Sequence, residues 1–443
     1  MYIQSLLNWL PLASLAFNPY KHEDPLKKLG NLTPYHVAPA FLVEAELPDD
    51  CSVDRVMLMH RHGSRGPAFA DEERVINSLV NTLEDGRDAI QNAHLPENLR
   101  FLKNGYDFRM EAQSLTMIGR QQLFNHGVEF GLKYPNFTTD TLLSSDTQRV
   151  IDSIQGYARS SLLDYSLEIL SWLRLAVPAE WSSTYLPPIT YRLNRLLPGV
   201  GLNDTDTHGA LYACAYDLAA GKESPWCNVF YAHELAAFEY EIDLLLDTSI
   251  GYLTYNNAGR ILGSVFVNKL IERFSNASEK AQSLYLEFGH DTTIMAIMAA
   301  MDLNRDDPPL SPHGPPLRRK FRTSYQVPFA ANMIWERLAC KESFNDPQIR
   351  LVLNEETYPL LSCAKTMQDR KYGTCSLEAF TRVNEFSTSI SFGDDTWEAV
   401  CSAHSEDLHV YSAGAFGTGS RIVYAYASQA LPNLASMEPP TFI

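Results

Sequence analysis

Residues 53–67 read Val53-Asp54-Arg55-Val56-Met57-Leu58-Met59-His60-Arg61-His62-Gly63-Ser64-Arg65-Gly66-Pro67. The apolar run from Val56 to Met59 suits a strand buried on both faces. Gly63, Gly66 and Pro67 then force a turn and let the backbone approach a ligand closely. Two guanidiniums and an imidazole are thereby held at the end of a buried strand. Two arginine forks flanking one histidine fit a phosphate guest that the histidine attacks. One isolated arginine would read as half of a surface ion pair. Arg-His-Gly-x-Arg-x-Pro directly after a buried strand is a far more specific signal.

The same junction recurs twice. Leu142-Leu143 leads into Ser144-Ser145-Asp146-Thr147-Gln148-Arg149, with a helix expected from Val150. Alone, Arg149 would read as a surface residue; its position repeats that of Arg61. Ser283 to Phe288 alternates like a strand and delivers Gly289-His290-Asp291-Thr292-Thr293 before a helix at Ile294–Met301. Three strands would bring these groups to one edge of a sheet, and open α/β sheets bind ligands outside the carboxyl ends of their strands. The expected fold is α/β: a mostly parallel central sheet flanked by helices, with a smaller, mainly α-helical insertion.

Outward from these junctions, helical periodicity is expected from Asp71 to Asn104 and from Thr116 to Lys133, with Thr116 as N-cap. Residues 165–258 read as largely helical, their aromatics serving packing. A helix at Ile261–Phe274 rejoins the sheet, residues 303–320 form a surface loop, and strands follow at Met333–Cys340 and Ile349–Leu353. The expected catalytic domain is 35–67, 136–160 and 259–403. Residues 68–135 and 161–258 form the insertion, 1–34 a lead-in and 404–443 a tail.

The chain has 443 residues and a net charge of −17, with 45% apolar and 20% charged residues. Nucleic acid is excluded as a partner, because its binding rests on basic neutralisation of phosphates. No apolar segment is long enough to span a membrane. Seven dispersed cysteines without a Cys-x2-Cys pair argue against a zinc site and permit three disulfides with one thiol left over. Sequons at Asn31, Asn136, Asn203 and Asn276, and an apolar start ending in Ser14-Leu15-Ala16, suggest a secreted glycoprotein with a degraded signal peptide. Oligomeric state is not legible.

Arg61-His62-Gly63-Ser64-Arg65-Gly66-Pro67 resembles the signature of the histidine acid phosphatases, the branch that includes secreted fungal phytases. Leu115-Thr116-Met117-Ile118-Gly119 is similar to that family's Leu-Thr-x-x-Gly element, Arg149 to its third phosphate-binding arginine, and His290-Asp291 to its His-Asp motif. The resemblance covers roughly residues 35–401. It implies a phosphoglycerate mutase-like fold and hydrolysis of phosphomonoesters at acidic pH. His62 would be the nucleophile, and Arg61, Arg65, Arg149 and His290 would bind phosphate. Asp291 would be the proton donor, its need for a proton setting an acidic optimum. No cofactor or metal is expected, since the guanidiniums supply the positive charge. The resemblance also implies disulfides Cys51–Cys340, Cys214–Cys227 and Cys363–Cys375, with Cys401 free.

Dedicated phytases resemble one another in placing lysines after the signature. Here Pro67 is followed by an acidic run, Asp71 to Glu73, expected to repel an inositol polyphosphate. A broad phosphomonoesterase is therefore expected, with phytate one candidate substrate among others and Lys103, Arg109 and Arg120 as candidate compensating cations. The alternatives are a phosphomutase of the same superfamily and a secreted, non-catalytic protein that binds phosphorylated ligands.

Overall fold

The computed structural model describes residues 24–401 except 69, 140, 146, 160–178, 277, 279 and 280; the side chains of Asp71, Arg159, Tyr255 and Cys401 are also outside the description. The lead-in before residue 24, the 404–443 tail and the state of Cys401 thus lie outside the described residues.

The apolar run becomes β1 (Cys51–Arg61), a strand in a seven-stranded sheet. Helices α1 (Ala70–Asp85), α2 (Arg87–Asn92) and α3 (Met117–Lys133) follow, then β2 (Leu142–Ser144) and α4 (Gln148–Arg159). Next come α5 (Ala179–Leu196), α6 (Asp204–Ala219), α7 (Ala232–Ser249) and α8 (Ala258–Ser275). The chain returns to the sheet as β3 (Leu284–Gly289), followed by α9 (Asp291–Ala300) and the strands β4 (Asn332–Cys340), β5 (Gln348–Leu353), β6 (Glu356–Tyr358) and β7 (Cys375–Ser376).

The strand order is β2-β3-β1-β4-β5-β6, with β7 also on β5. β1 pairs in parallel with β3, and β3 with β2, so the three motif-bearing strands lie side by side and point the same way. The remaining pairings are antiparallel. The α/β sheet flanked by helices is present, but it is mixed rather than mostly parallel. The physical reason is connection length: β4, β5 and β6 follow one another through short turns, which allow only antiparallel neighbours.

β1 alternates as a doubly buried strand must. Val56 and Leu58 pack with Leu123 and Phe130 of α3 and Val150 and Ile154 of α4. Met57 and Met59 face the other way, into the large core that includes α8 and α9. Helix α3, read from sequence as part of the insertion, therefore covers the sheet directly. Its apolar side seals one face of β1.

All three expected disulfides form: Cys51–Cys340, Cys214–Cys227 and Cys363–Cys375. Cys51 and Cys340 are register partners on the antiparallel β1/β4 pair, with Cα atoms 4.0 Å apart. Among the described residues, no helix is long and apolar enough to cross a membrane.

Candidate active site

The signature loop leaves β1 and is fixed from below by backbone contacts. His62 N–H donates to the Gly289 carbonyl at the end of β3 (3.1 Å), and the His62 carbonyl accepts from Ala330 N–H (2.9 Å). The Leu-Thr-x-x-Gly element supplies the rest of the clamp. Thr116 caps α3 by accepting from Gly119 N–H (3.0 Å), and its own N–H donates to the Ser64 carbonyl (2.9 Å). Gly63 and Gly119 meet backbone to backbone. A Cβ on Gly63 would lie 2.3 Å from the Gly119 carbonyl oxygen, and one on Gly119 would lie 2.1 Å from that of Ser64. Side chains at either position would push the loop off the helix.

His62 is buried, and its Nδ1 faces the Gly63 carbonyl at 2.9 Å. A carbonyl only accepts, so Nδ1 carries the proton and Nε2 keeps the lone pair. Burial, then the charges of Arg149 and Arg61, drive the imidazole's proton affinity well below its usual value. Burial is the larger cause, the arginines the smaller.

Arg61 is fully buried, with Nη1 donating to the carbonyls of Asn31 and Val327 (both 2.5 Å) and Nη2 2.7 Å from Asp291 Oδ2. Its guanidinium lies 4.6 Å from the Phe329 ring centre. Arg65 Nη1 donates to the Gly66 carbonyl (2.8 Å), and Arg149 Nη1 lies 3.4 Å from Gln113 Oε1. Burial, then Arg65, lowers Arg149 to about 9, a direct sign of crowded positive charge. The Nε–H groups of Arg61, Arg65 and Arg149 are all buried and find no acceptor among the described residues. Buried donors are rarely left unpaired, so three together point to an anion.

His290 caps α9, its ring Nε2 2.9 Å from Ser145 Oγ after β2. The His62 and His290 rings are 5.4 Å apart, centre to centre. Asp291, the first residue of α9, is buried; its Oδ1 accepts from Thr292 N–H (2.8 Å) and its Oδ2 from Asn31 Nδ2 (2.6 Å). Burial would raise its pKa, but Arg61, Arg65 and His290 overcome that and hold it at about 2. The sequence reading gave Asp291 a ready proton in acid. The structure favours its charged form instead, because the arginines expected to bind phosphate are also its counter-charges.

Asn31 was missed as a site residue. It reads as a glycosylation sequon within a featureless lead-in, yet its side chain is buried against Asp291 and its carbonyl holds Arg61. The sequon's Thr33 is also buried, donating to the Gly30 carbonyl (2.8 Å). Asn31 is thus no surface acceptor, whereas Asn136, Asn203 and Asn276 are exposed. The acidic run is corrected as well. Glu72 points inward, accepting from Ala68 N–H (2.8 Å) and hydrogen-bonded to Tyr216, whose hydroxyl also contacts Arg65 (3.3 Å). Of the three candidate cations, Arg109 pairs with Asp107 (2.5 Å) and Arg120 with Asp152 (2.6 Å), while Lys103 donates to the Gln91 carbonyl (3.0 Å).

Comparisons with known proteins agree with this geometry. A family model described as histidine phosphatase superfamily (branch 2) matches residues 52–166 and 174–354. The thiamine-repressible acid phosphatase pho4 of Schizosaccharomyces pombe is 26% identical, over 93% of this chain and 100% of its own. Phytase A of Arthroderma benhamiae is 25% identical, over 76% of this chain and 84% of its own. Among solved structures, the phytase from D. castellii superposes with a TM-score of 0.71 at 21% identity, covering 83% of this chain and 86% of that one.

Proposed function

The chain belongs to the histidine phosphatase superfamily (branch 2), and we propose that it is an acid phosphomonoesterase working through a phosphohistidine on His62. One observation carries the reading: a lone-pair Nε2 on a buried, unprotonated His62, set among three arginines whose buried Nε–H groups lack acceptors.

In the proposed reaction, His62 Nε2 forms a bond to phosphorus as the ester P–O bond breaks. Arg61, Arg65 and Arg149 hold the non-bridging oxygens and stabilise their charge in the transition state, with His290 as a further donor. The leaving alkoxide takes a proton from Asp291. Water, losing a proton to the same carboxylate, then attacks the phosphohistidine and releases phosphate and neutral His62. The ionised Asp291 of the free protein must gain its proton as substrate binds. A phosphate dianion cancels part of the guanidinium field that holds the carboxylate charged, which raises its proton affinity.

The surroundings support a broad phosphomonoesterase. Arg109 and Arg120 are already paired with carboxylates, and no lysine follows the signature before Lys103. The three disulfides support an oxidising compartment, outside the cytosol. Phosphate release from p-nitrophenyl phosphate and phytate over roughly pH 3 to 8, spanning the Asp and His titrations, tests the substrate reading. His62→Ala tests the mechanism: alkaline denaturing quench of the native protein on labelled substrate, which preserves the acid-labile phosphoramidate bond, is expected to trap labelled phosphate, and the variant to trap none. Retained turnover in His62→Ala would overturn the covalent route.

A further inference from the structure

Behind the signature loop, on the opposite face of β1 from Arg61, lies a second polar cluster that the phosphatase chemistry does not use. His60 is buried under α3, with Nδ1 2.6 Å from the Arg61 carbonyl and Nε2 3.0 Å from Nδ1 of His126. The carbonyl can only accept, so His60 carries its proton on Nδ1. Full burial, reinforced by His126, keeps His60 neutral. Its Nε2 is therefore an acceptor, and His126 Nδ1 must be the donor. That leaves His126 with a lone pair on Nε2.

His126 is 8% exposed. A ring nitrogen of His126 and one carboxylate oxygen each from Glu129 and Glu355 all lie within 4.8 Å of one another. Nδ1 is engaged by His60, so Nε2 is the nitrogen free for this group, and among the described residues it has no hydrogen-bond partner. Two carboxylates and a lone pair repel one another when nothing lies between them. Burial and then the Glu355 charge raise the proton affinity of Glu129 accordingly.

We propose that His126, Glu129 and Glu355 bind one divalent transition-metal ion, with zinc the best match. One imidazole and two carboxylates leaving an open position suit zinc, whereas calcium and magnesium take oxygen alone. The surrounding hydrogen bonds match what such ligands need. His126 donates its other N–H to His60, and Glu355 Oε1 accepts from the Tyr35 hydroxyl (2.9 Å). The ion would tie α3 to the turn between β5 and β6, where Glu355 holds a left-handed backbone, φ 72°. A residue with a side chain is costly there, and glycine would be favoured if only the turn mattered.

The test is calorimetric titration of zinc chloride into the full chain after dialysis against a chelator, at neutral pH. One saturable site per chain is expected, weakened by more than about tenfold in Glu129→Gln and again in Glu355→Gln, as loss of a ligand requires. Both carboxylates are exposed, so these variants keep the fold, which circular dichroism checks. Zinc should also raise the Tm of the native chain more than that of the double variant. Phosphatase turnover should be unchanged in both variants, which keeps this test separate from the reading of the phosphate pocket. Absence of saturable binding, or equal binding in the double variant through other surface carboxylates, would overturn the proposal.

Discussion

His60 and Arg61 are consecutive residues of one buried strand, yet they open onto opposite electrostatic worlds. The strand pleat sends Arg61 to a face where three guanidiniums present unanswered donors. It sends His60 to the other face, where an imidazole chain ends near two carboxylates. The contrast shows how a chain of net charge −17 can gather three guanidiniums in one pocket. Local charge is set by which face of a strand a residue takes. The sheet keeps the two faces apart, and the Arg61 carbonyl, which accepts from His60, is a covalent part of both.

Breaking each face separately tests that division. Arg61→Ala removes a proposed phosphate clamp and leaves Asp291 buried beside one counter-charge fewer. Turnover is expected to fall by about 10³-fold, and unfolding in denaturant to become easier by about 3–5 kcal/mol. His60→Leu works on the other face and should cost about 1–3 kcal/mol through the unpaired His126 donor. Its effect on turnover should stay within about tenfold, because no group that meets phosphate is lost. Equal losses of turnover in the two variants would mean that the faces act as one unit.

The cationic face also carries an acid liability. Burial and the neighbouring Arg149 lower His290 to about 3, and His62 is likewise driven well below its usual value. Unfolded, both take up protons near pH 6.5; folded, they do not. Stability is therefore expected to fall as pH drops below 6.5, by up to about 1.4 kcal/mol per pH unit for each imidazole. For His290 the loss continues until pH reaches about 3. Asp291, lowered to about 2, contributes stability that is fully present above the unfolded value of 3.8 and lost progressively as pH falls from there through about 2. Denaturant midpoints measured from pH 7 down to about 4 check the sign. A flat profile would mean that the two imidazoles are solvated.

Much of the cationic face was legible in sequence for one physical reason. Each of its motifs follows an apolar run, and a buried strand that stops at charged residues announces a site at its end. Arg61, His62, Arg65, Arg149 and His290-Asp291 were all found that way, and β1, β2 and β3 do lie side by side. The antiparallel half was harder, because pairing direction depends on turns that periodicity does not encode. The 303–320 loop read as surface, yet its Arg319 pairs with Glu239 and Asp243, both buried on α7. Buried ion pairs between distant segments leave no local pattern. The His60–His126 contact joins positions 66 residues apart, and it escaped for the same reason.

Asn31 is the smallest perturbation available at the site and the sharpest probe of Asp291. Its amide donates to the carboxylate, while its backbone carbonyl separately holds Arg61. Asn31→Leu therefore removes one donor to Asp291 and spares the arginine clamp. A hydrogen bond to a charged group contributes about 1.5–3 kcal/mol, and stability should fall by no more than that. Catalysis should respond in pH dependence rather than in amplitude. The lost donor favoured the carboxylate, so its removal raises the proton affinity of Asp291. If Asp291 must be protonated to release the alkoxide, the alkaline limb of the kcat profile moves to higher pH in the variant, since that profile reports groups in the substrate complex. An unmoved limb would reassign the proton donor while leaving His62 and the arginines in their roles. Peptide mass spectrometry of the native protein adds an independent check: Asn31 is expected to carry no glycan, because its amide is buried against Asp291 and a glycan there would hold the site open.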